Sequence, residues 1–162
     1  VLRNTPLRRN MSDPPLRISN SEMENIESMV DTTTKQGAKI RKILANNSKS
    51  GPYDTKWEVD ASVEALHVFG KRWTIEILST LYITGPRRFN QLKKLLTGIS
   101  SRTLSDKLRF LTDEGLVVRQ VYDGPPSIVQ YILSEHGTTC GRLLSPLVAH
   151  LKIKNSSVKT RD

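Results

Sequence analysis

The sequence predicts a mainly α-helical fold that carries one small β-hairpin, and residues 99–133 provide the main evidence. Within this stretch Leu104, Leu108 and Leu111 recur at spacings of four and three, which is typical of a helix that buries one face. Gly115 follows as a stop, and two β-rich runs then flank an Asp-Gly-Pro-Pro turn. A helix with a polar outer face followed by a hairpin is the order of a winged helix-turn-helix, a module that lays one helix in the DNA major groove.

The segments on either side complete this module with further helices. Apolar periodicity, interrupted by Gly and Gly-Pro stops, predicts three helices before the recognition helix. Either Ser100 or Ser101 caps the recognition helix, whose first-turn amides carry partial positive charge that favours a nearby phosphate. The predicted elements lie at about 61–70, 73–84, 89–96 and 101–114 for the helices and 116–133 for the wing.

A final helix follows the wing and begins after Ser134, its predicted cap. The helix has a broad apolar stripe made by Leu143, Leu144, Leu147, Val148 and Leu151. A terminal helix with so many apolar side chains needs a partner surface. We expect it to form part of a homodimer interface, and the alternative is that it folds back on the core of its own chain.

Composition divides the chain into three regions. Residues 1–52 form a basic N-terminal extension that we predict to be flexible, because its first part is rich in Arg and Pro and has little periodicity. Residues 57–151 form the winged-helix DNA-binding domain, and residues 152–162 form a basic C-terminal tail.

The N-terminal extension also contains a helical pattern. Ser21 and Glu24 have the spacing of a capping box, and they open a weak heptad seam that Thr33 and Gly37 interrupt. The apolar members of the seam are Met23, Ile26, Val30, Ile40 and Leu44. A dimerising arm helix and a partly frayed amphipathic helix both fit this pattern.

Composition excludes several classes of protein. The chain has 162 residues, 36% of them hydrophobic, and no apolar run long enough to span a bilayer, so we expect a cytoplasmic protein without a membrane partner. The one cysteine, Cys140, excludes an intrachain disulfide and a cysteine-cluster metal site. No phosphate-binding loop, HExxH or GxSxG motif occurs, and the three histidines are scattered. The sequence therefore predicts no enzymatic activity, catalytic residue, metal or cofactor.

Basic charge is concentrated on the predicted DNA-reading unit. The formal net charge of the chain is +9. Residues 71–119 hold ten Lys and Arg against four Asp and Glu, whereas the rest of residues 51–151 has a net charge of −4. Contacts with DNA phosphates require a basic surface of this kind. Because both chain ends are also basic, a second reading stays open, in which the tails coat DNA without sequence preference.

A set of short motifs runs through the predicted domain. The chain reads Gly-Lys-Arg-Trp-Thr at 70–74, Gly-Pro-Arg-Arg-Phe-Asn-Gln-Leu at 85–92, Gly-Ile-Ser-Ser-Arg-Thr-Leu at 98–104 and Glu-Gly-Leu-Val at 114–117. In these motifs, and in the Pro-Pro and Val-Gln-Tyr of the wing, it resembles the HxlR family of bacterial and archaeal winged-helix regulators. The resemblance covers about residues 60–151. It implies a homodimeric DNA-binding transcription regulator whose dimer is formed by the first and last helices of the module.

Two positions depart from the family pattern. Many members carry a cysteine where this chain has Asp60, so thiol-based sensing by the family's route is not expected. Relatives often carry a basic residue after the two wing prolines, where this chain has Ser127. We therefore expect Arg119 and Tyr122 to supply the contacts of the wing with DNA. Cys140 stays open as either a low-pKa thiol or a buried side chain.

Polar side chains of the recognition helix are the candidate base-reading groups. Arg102 can donate to both O6 and N7 of guanine, and Asp106 can accept from N4 of cytosine. Ser101, Thr103 and Ser105 offer hydroxyls to bases or phosphates. Each of these side chains also fits the simpler interpretation of a solvated helix face.

Basic side chains around that helix are candidate phosphate contacts, namely Lys93, Lys94, Arg109 and Arg119. A symmetric dimer of such modules should bind an inverted repeat of double-stranded DNA. An exposed helix of this kind also serves in protein-interaction modules, which keeps that alternative open. A small-molecule effector stays open as well, because residues that line pockets cannot be told from core residues in a sequence.

Overall fold

A computed structural model describes residues 14–48 and 54–161. These residues form six helices and two pairs of strands, and they divide into two compact units. The terminal unit comprises the described residues 14–40 and 145–161, and the domain unit comprises 41–48 and 54–144. In chain order the elements are β1 (Leu16–Ile18), α1 (Asn20–Asn46), α2 (Thr55–Leu66), α3 (Thr74–Thr84), α4 (Phe89–Leu95), α5 (Ser101–Asp113), β2 (Val117–Tyr122), β3 (Ile128–Leu133), α6 (Glu135–Lys154) and β4 (Val158–Thr160).

The core of the domain unit is built mainly from the apolar faces of α3, α4 and α5. Side chains at helical spacing on these faces are almost completely removed from solvent, namely Ile77, Leu81, Leu92, Leu104, Leu108 and Leu111. Leu116 and Val117 continue the same core into the start of β2. A three-helix core followed by a hairpin confirms the predicted winged helix-turn-helix fold.

Strands β2 and β3 form the predicted wing as an antiparallel pair, in register from Val117 opposite Leu133 to Tyr122 opposite Ile128. One further bridge joins the wing to the segment just before α4. The Arg87 amide donates to the Tyr131 carbonyl at 3.0 Å, and the Tyr131 amide donates back to the Arg87 carbonyl at 2.8 Å. This bridge was not predicted, because a single extended residue between Pro86 and a helix has no periodicity to reveal it.

The first helix of the domain lies earlier in the chain than predicted. The sequence placed it at about 61–70, but α2 begins at Thr55, where the Asp54 carboxylate accepts from the Trp57 amide at 3.1 Å, and it ends at Leu66. The prediction was wrong because it overlooked this cap and took the apolar run as far as Gly70 for helix. The residues after Leu66 instead form turns, and Trp73 precedes α3 with a left-handed φ of 70°.

The predicted end of α5 and the predicted start of α6 are both confirmed. Gly115 has a φ of 71°, which a glycine adopts without steric cost, and the Leu116 amide donates to the Leu111 carbonyl at 2.9 Å. Ser134 caps α6, because its hydroxyl accepts from the Gly137 amide at 2.9 Å. The same hydroxyl donates to the Gly115 carbonyl at 2.6 Å, which joins the end of α5 to the start of α6.

The terminal unit contains a sheet that the sequence did not reveal. Strands β1 and β4 pair in parallel, with Leu16 opposite Val158 and Ile18 opposite Thr160. The sequence predicts a flexible extension and a basic tail for these segments, because pairing between residues so far apart in the chain leaves no local pattern. The predicted flexibility of residues 1–13 and 49–52 lies outside the described residues.

Helix α1 is capped two residues before the predicted capping box of Ser21 and Glu24. The Ser19 hydroxyl accepts from the Glu22 amide at 3.2 Å, and the Ser19 amide donates to the Glu22 carboxylate at 2.8 Å. Hydrogen bonds from the Ser19 amide and hydroxyl hold the pKa of Glu22 below its ordinary value, and the charge of Arg161 acts in the same direction. In the part of the chain that the structure describes, no helix is long and apolar enough to cross a membrane.

Gly137 is a position where the fold should not accept a side chain. A Cβ at this position would lie 2.1 Å from the Leu116 carbonyl oxygen, which is backbone and cannot move aside cheaply. We expect Gly137→Ala to lower the free energy of unfolding by about 1 to 3 kcal/mol in urea denaturation. Gly124→Ala is the matched control, since its Cβ would meet nothing nearer than the Pro126 carbonyl oxygen at 3.9 Å. A Gly137→Ala protein as stable as the Gly124→Ala protein would contradict this close packing.

Candidate nucleic-acid interface

Helix α5 is held at its first turn by a serine cap. The Ser100 hydroxyl accepts from the Thr103 amide at 3.0 Å, which settles the choice between Ser100 and Ser101 in favour of Ser100. Ile99, just before the cap, is buried, and three leucines of the helix are at most 1% exposed. The helix therefore has one fixed orientation, with its apolar stripe inward.

The outer face of α5 presents a row of unpaired polar groups. Arg102, Ser105, Asp106 and Arg109 recur at i, i+3, i+4 and i+7, and all four are exposed. Within residues 14–48 and 54–161, no ion pair involves Arg102, Asp106 or Arg109. Their charged groups are therefore available to a partner outside the chain.

Three of the other predicted residues, Lys93, Ser101 and Thr103, already have partners within the chain. The Lys93 ammonium of α4 donates to the Ser101 hydroxyl at 2.6 Å, which brings one basic charge to the first turn of α5. Thr103 is half-buried, and its hydroxyl lies 2.8 Å from the Ser100 hydroxyl. Thr103 thus supports the cap, whereas the sequence predicts only a DNA contact for it. Lys94, next to Lys93 on α4, is exposed.

The two predicted wing residues, Arg119 and Tyr122, lie on opposite faces of the hairpin, because successive side chains of a strand alternate. Both are exposed. The Tyr122 hydroxyl donates to the Gln120 side chain at 2.9 Å, so these two side chains share a face. A single flat surface of the wing cannot present both Arg119 and Tyr122 to DNA.

The turns after α2 place a further basic side chain, Lys71, beside α5, and no local pattern in the sequence predicts this contact. The Lys71 ammonium lies 4.0 Å from the centre of the Phe110 ring, and the Lys107 ammonium lies 5.7 Å from the same ring. Nearby, the imidazole Nε2 of His67 is 3.8 Å from the Glu114 carboxylate. Lys71 belongs to the basic stretch of residues 71–119, but only the tertiary structure shows that it lies beside α5.

Lys93 and Lys71 lie near opposite ends of α5. Lys93 lies against Ser101 at the N-terminal end of the helix, and Lys71 lies against Phe110 near its C-terminal end. On a helical projection, Ser101 and Phe110 fall on opposite flanks of the outward row. Basic groups therefore flank that row on both sides.

The histidine and cysteine side chains form no site of their own. Within the described residues, no group of three His, Cys, Asp or Glu side chains could hold a metal ion. The exposed His67 ring has Nδ1 2.7 Å from the Glu64 carbonyl. Cys140 is partly buried and packs against the core.

One open groove lies along α2, with a volume of about 400 Å³. Its charged lining residues are Arg41 and Glu58, which form an ion pair at 2.9 Å. An ionised effector in this groove would therefore compete with the Arg41–Glu58 ion pair.

Comparisons with known proteins agree with this geometry. A family model described as HxlR-like helix-turn-helix matches residues 68–158. Two uncharacterized HTH-type transcriptional regulators of Bacillus subtilis are similar in sequence. YdeP is 36% identical over 96 residues, which cover 59% of this chain and 71% of YdeP. YtcD is 38% identical over 95 residues, covering 58% of this chain and 75% of YtcD.

A solved structure gives the same result in three dimensions. A transcriptional regulator of the MarR family from Enterococcus faecalis V583 superimposes with a TM-score of 0.54 at 26% sequence identity, over 67% of this chain and 94% of that one. The residues matched by the family model include α3, α4, α5 and the β2–β3 wing, which are the elements that position the outward row. The chain belongs to the HxlR-like helix-turn-helix family of DNA-binding transcriptional regulators.

Proposed function

We propose that the protein regulates transcription in the cytoplasm as a homodimer bound to an inverted repeat of double-stranded DNA. In this complex α5 lies in the major groove, and the β2–β3 wing lies beside it. The observation that carries the proposal is the exposed row of Arg102, Ser105, Asp106 and Arg109, which faces away from the leucine stripe and has no charged partner in the described chain. Family membership supports the same function.

Within the row, Arg102 is the main specificity residue. It lies in the first turn of α5, the part of a recognition helix that meets base edges, and its fork of donors matches O6 and N7 of guanine. Asp106, one turn further on, accepts from N4 of cytosine, and Ser105 offers a hydroxyl beside it. The hydroxyls of Ser101 and Thr103 contribute less, because both are already engaged by Lys93 and Ser100.

Phosphate contacts come from basic side chains around the row. Lys93 and Lys94 contact phosphates on one side of the DNA major groove, and Lys71 contacts phosphates on the other side. Arg109 and Arg119 contact further phosphates along the DNA backbone. These contacts fix the register of α5 without reading sequence. On the wing, Arg119 is the phosphate contact, and Tyr122 faces the other way with Gln120.

The dimer interface uses α2 and α6, as the family resemblance implied. Exposed apolar side chains support this assignment, since α2 carries Val59, Val63 and Leu66, and α6 carries Leu143, Leu147, Val148 and Leu151. Apolar groups exposed at this density mark protein interfaces. A two-fold dimer places its half-sites roughly 10 base pairs, or about 34 Å, apart.

A DNA fragment selected from a random-sequence pool tests the proposal as a whole. The selected fragment should contain a dyad, and footprinting should show two protected half-sites separated by about one helical turn. Selection of no sequence above bulk competitor DNA would contradict the proposal, whether binding is absent or merely non-specific. Retained binding without any sequence preference would favour coating of DNA by the basic chain ends.

Arg102→Ala should reduce affinity for the selected site by about 5- to 150-fold, equivalent to roughly 1 to 3 kcal/mol, and should relax preference at one base pair. Arg102→Lys keeps the charge but loses the planar fork, so it should also lose preference at that base pair. Arg142→Ala is the control, because Arg142 is an exposed residue of α6, and it should leave the affinity for DNA unchanged. An equal loss on the selected site and on random DNA would show that Arg102 contacts only phosphate.

Lys71→Ala and Lys93→Ala test the two flanks separately. Each should weaken binding to all sequences alike and reduce the slope of log affinity against log salt by about 1, because one phosphate contact is lost. Lys56→Ala is the matched control, since that lysine is exposed on α2 and pairs with Asp60 at 2.6 Å. If the slope of log affinity against log salt is the same for Lys71→Ala as for Lys56→Ala, Lys71 makes no phosphate contact, whatever the result for Lys93→Ala.

A further inference from the structure

Helix α1 lies before the residues that the family model matches, and the DNA-binding proposal gives it no role. We propose that α1 pairs with α1 of a second copy of this chain in an antiparallel coiled coil. The inference adds a second self-association surface and does not depend on DNA binding.

The charge distribution of α1 favours a second copy as its partner. All four acidic residues lie in the first half of the helix, and all four basic residues lie in the second half; they are Glu22, Glu24, Glu27 and Asp31, then Lys35, Lys39, Arg41 and Lys42. The helix dipole explains little of this pattern, because its effect is confined to the terminal turns, and the last turn of α1 contains no basic residue. An antiparallel pair sets the acidic half of each helix beside the basic half of the other.

Four apolar side chains of α1 lie exposed, whereas Met23, Ile26 and Val30 are already half-buried within the chain. Met29, Ile40, Ile43 and Leu44 are between 56% and 63% exposed. The middle of the helix contributes little stability of its own, because Thr32, Thr33 and Thr34 are poor helix formers. Their hydroxyls donate back to carbonyls one turn earlier. A 27-residue helix with a weak middle and an exposed apolar edge is best stabilised by packing against another helix.

One antiparallel register satisfies the apolar and the charged residues together. With the heptad phase set by the apolar seam, this register stacks Ile26 on Leu44 of the second copy and Val30 on Ile40. Thr33 then meets Gly37, which lets the helices approach closely at the middle. At the edges of the seam, Met29 lies opposite Ile43, and both are among the exposed side chains.

Charged residues at the edges of the seam favour the antiparallel over the parallel orientation of the two helices. In the antiparallel register Glu27 lies beside Arg41 of the second copy, whose side chain is 70% exposed even though it contacts Glu58. In a parallel pair the corresponding edge positions would bring Glu22 of one helix next to Glu27 of the other, which is repulsive. Two identical helices have a two-fold axis in either orientation, so the pairing fits the symmetry that a dimer on an inverted repeat requires, and the charges alone select the antiparallel form.

Disulfide trapping tests the orientation and the register. In a full-length Cys140→Ser background, a chain with Met29→Cys is co-expressed with a differently tagged chain with Ile43→Cys, and the purified mixture is treated with a mild oxidant. The antiparallel register brings these cysteines together, so the mixed disulfide should be the major cross-linked product. Within one helix, positions 29 and 43 are about 21 Å apart, so a parallel pair would give only disulfides between like chains.

The matched control uses Ser28→Cys with Lys42→Cys, which have the same spacing but lie on the outer side of the proposed coiled coil. This pair should cross-link far less than the first pair. Disulfides mainly between like chains, or equal cross-linking of the two pairs, would overturn the proposal. Binding of the selected DNA is measured on the same samples. DNA binding without the mixed disulfide refutes the α1 pairing alone, and the mixed disulfide without DNA binding refutes the DNA proposal alone.

Discussion

Burial of Leu104, Leu108 and Leu111 is the constraint on which the proposed DNA-reading surface depends. These three side chains are at most 1% exposed, and the geometry of a helix then leaves little freedom for the remaining positions of α5. Arg102, Asp106 and their neighbours point outward because the leucines point inward. The Ser100 cap and the left-handed Gly115 fix where the helix begins and ends. A change in any of these features would rotate or shorten the helix and so alter which side chains face outward.

Backbone contacts couple the wing to this helix. Ser134 joins the end of α5 to the start of α6 through the Gly115 carbonyl, and α6 approaches the Leu116 backbone so closely that only glycine fits at position 137. On the other side, the Arg87–Tyr131 bridge joins the segment before α4 to β3. The wing is therefore attached at both strands, which suits a surface that must match two features of a DNA duplex at once.

The sequence predicted α5 and the wing well because their signals are local. A leucine stripe, a serine cap and a glycine stop all act within one or two turns, so a single sequence reveals them. The start of α2 was misplaced because one aspartate cap outweighs an apolar run that continues beyond the helix. Sheet β1–β4 and the approach of Lys71 to Phe110 could not be predicted, since both join residues distant in the chain. The alternation of Arg119 and Tyr122 follows from the sequence alone once β2 is placed, because positions three apart on a strand lie on opposite faces.

The most direct test of the account is methylation interference on the selected DNA, because methyl groups at guanine N7 project into the major groove. If α5 reads that groove, methylation of guanines in both half-sites, about one helical turn apart, should prevent binding. Interference confined to adenine N3 in the minor groove, or binding unaffected by methylation at any guanine, would contradict the placement of α5.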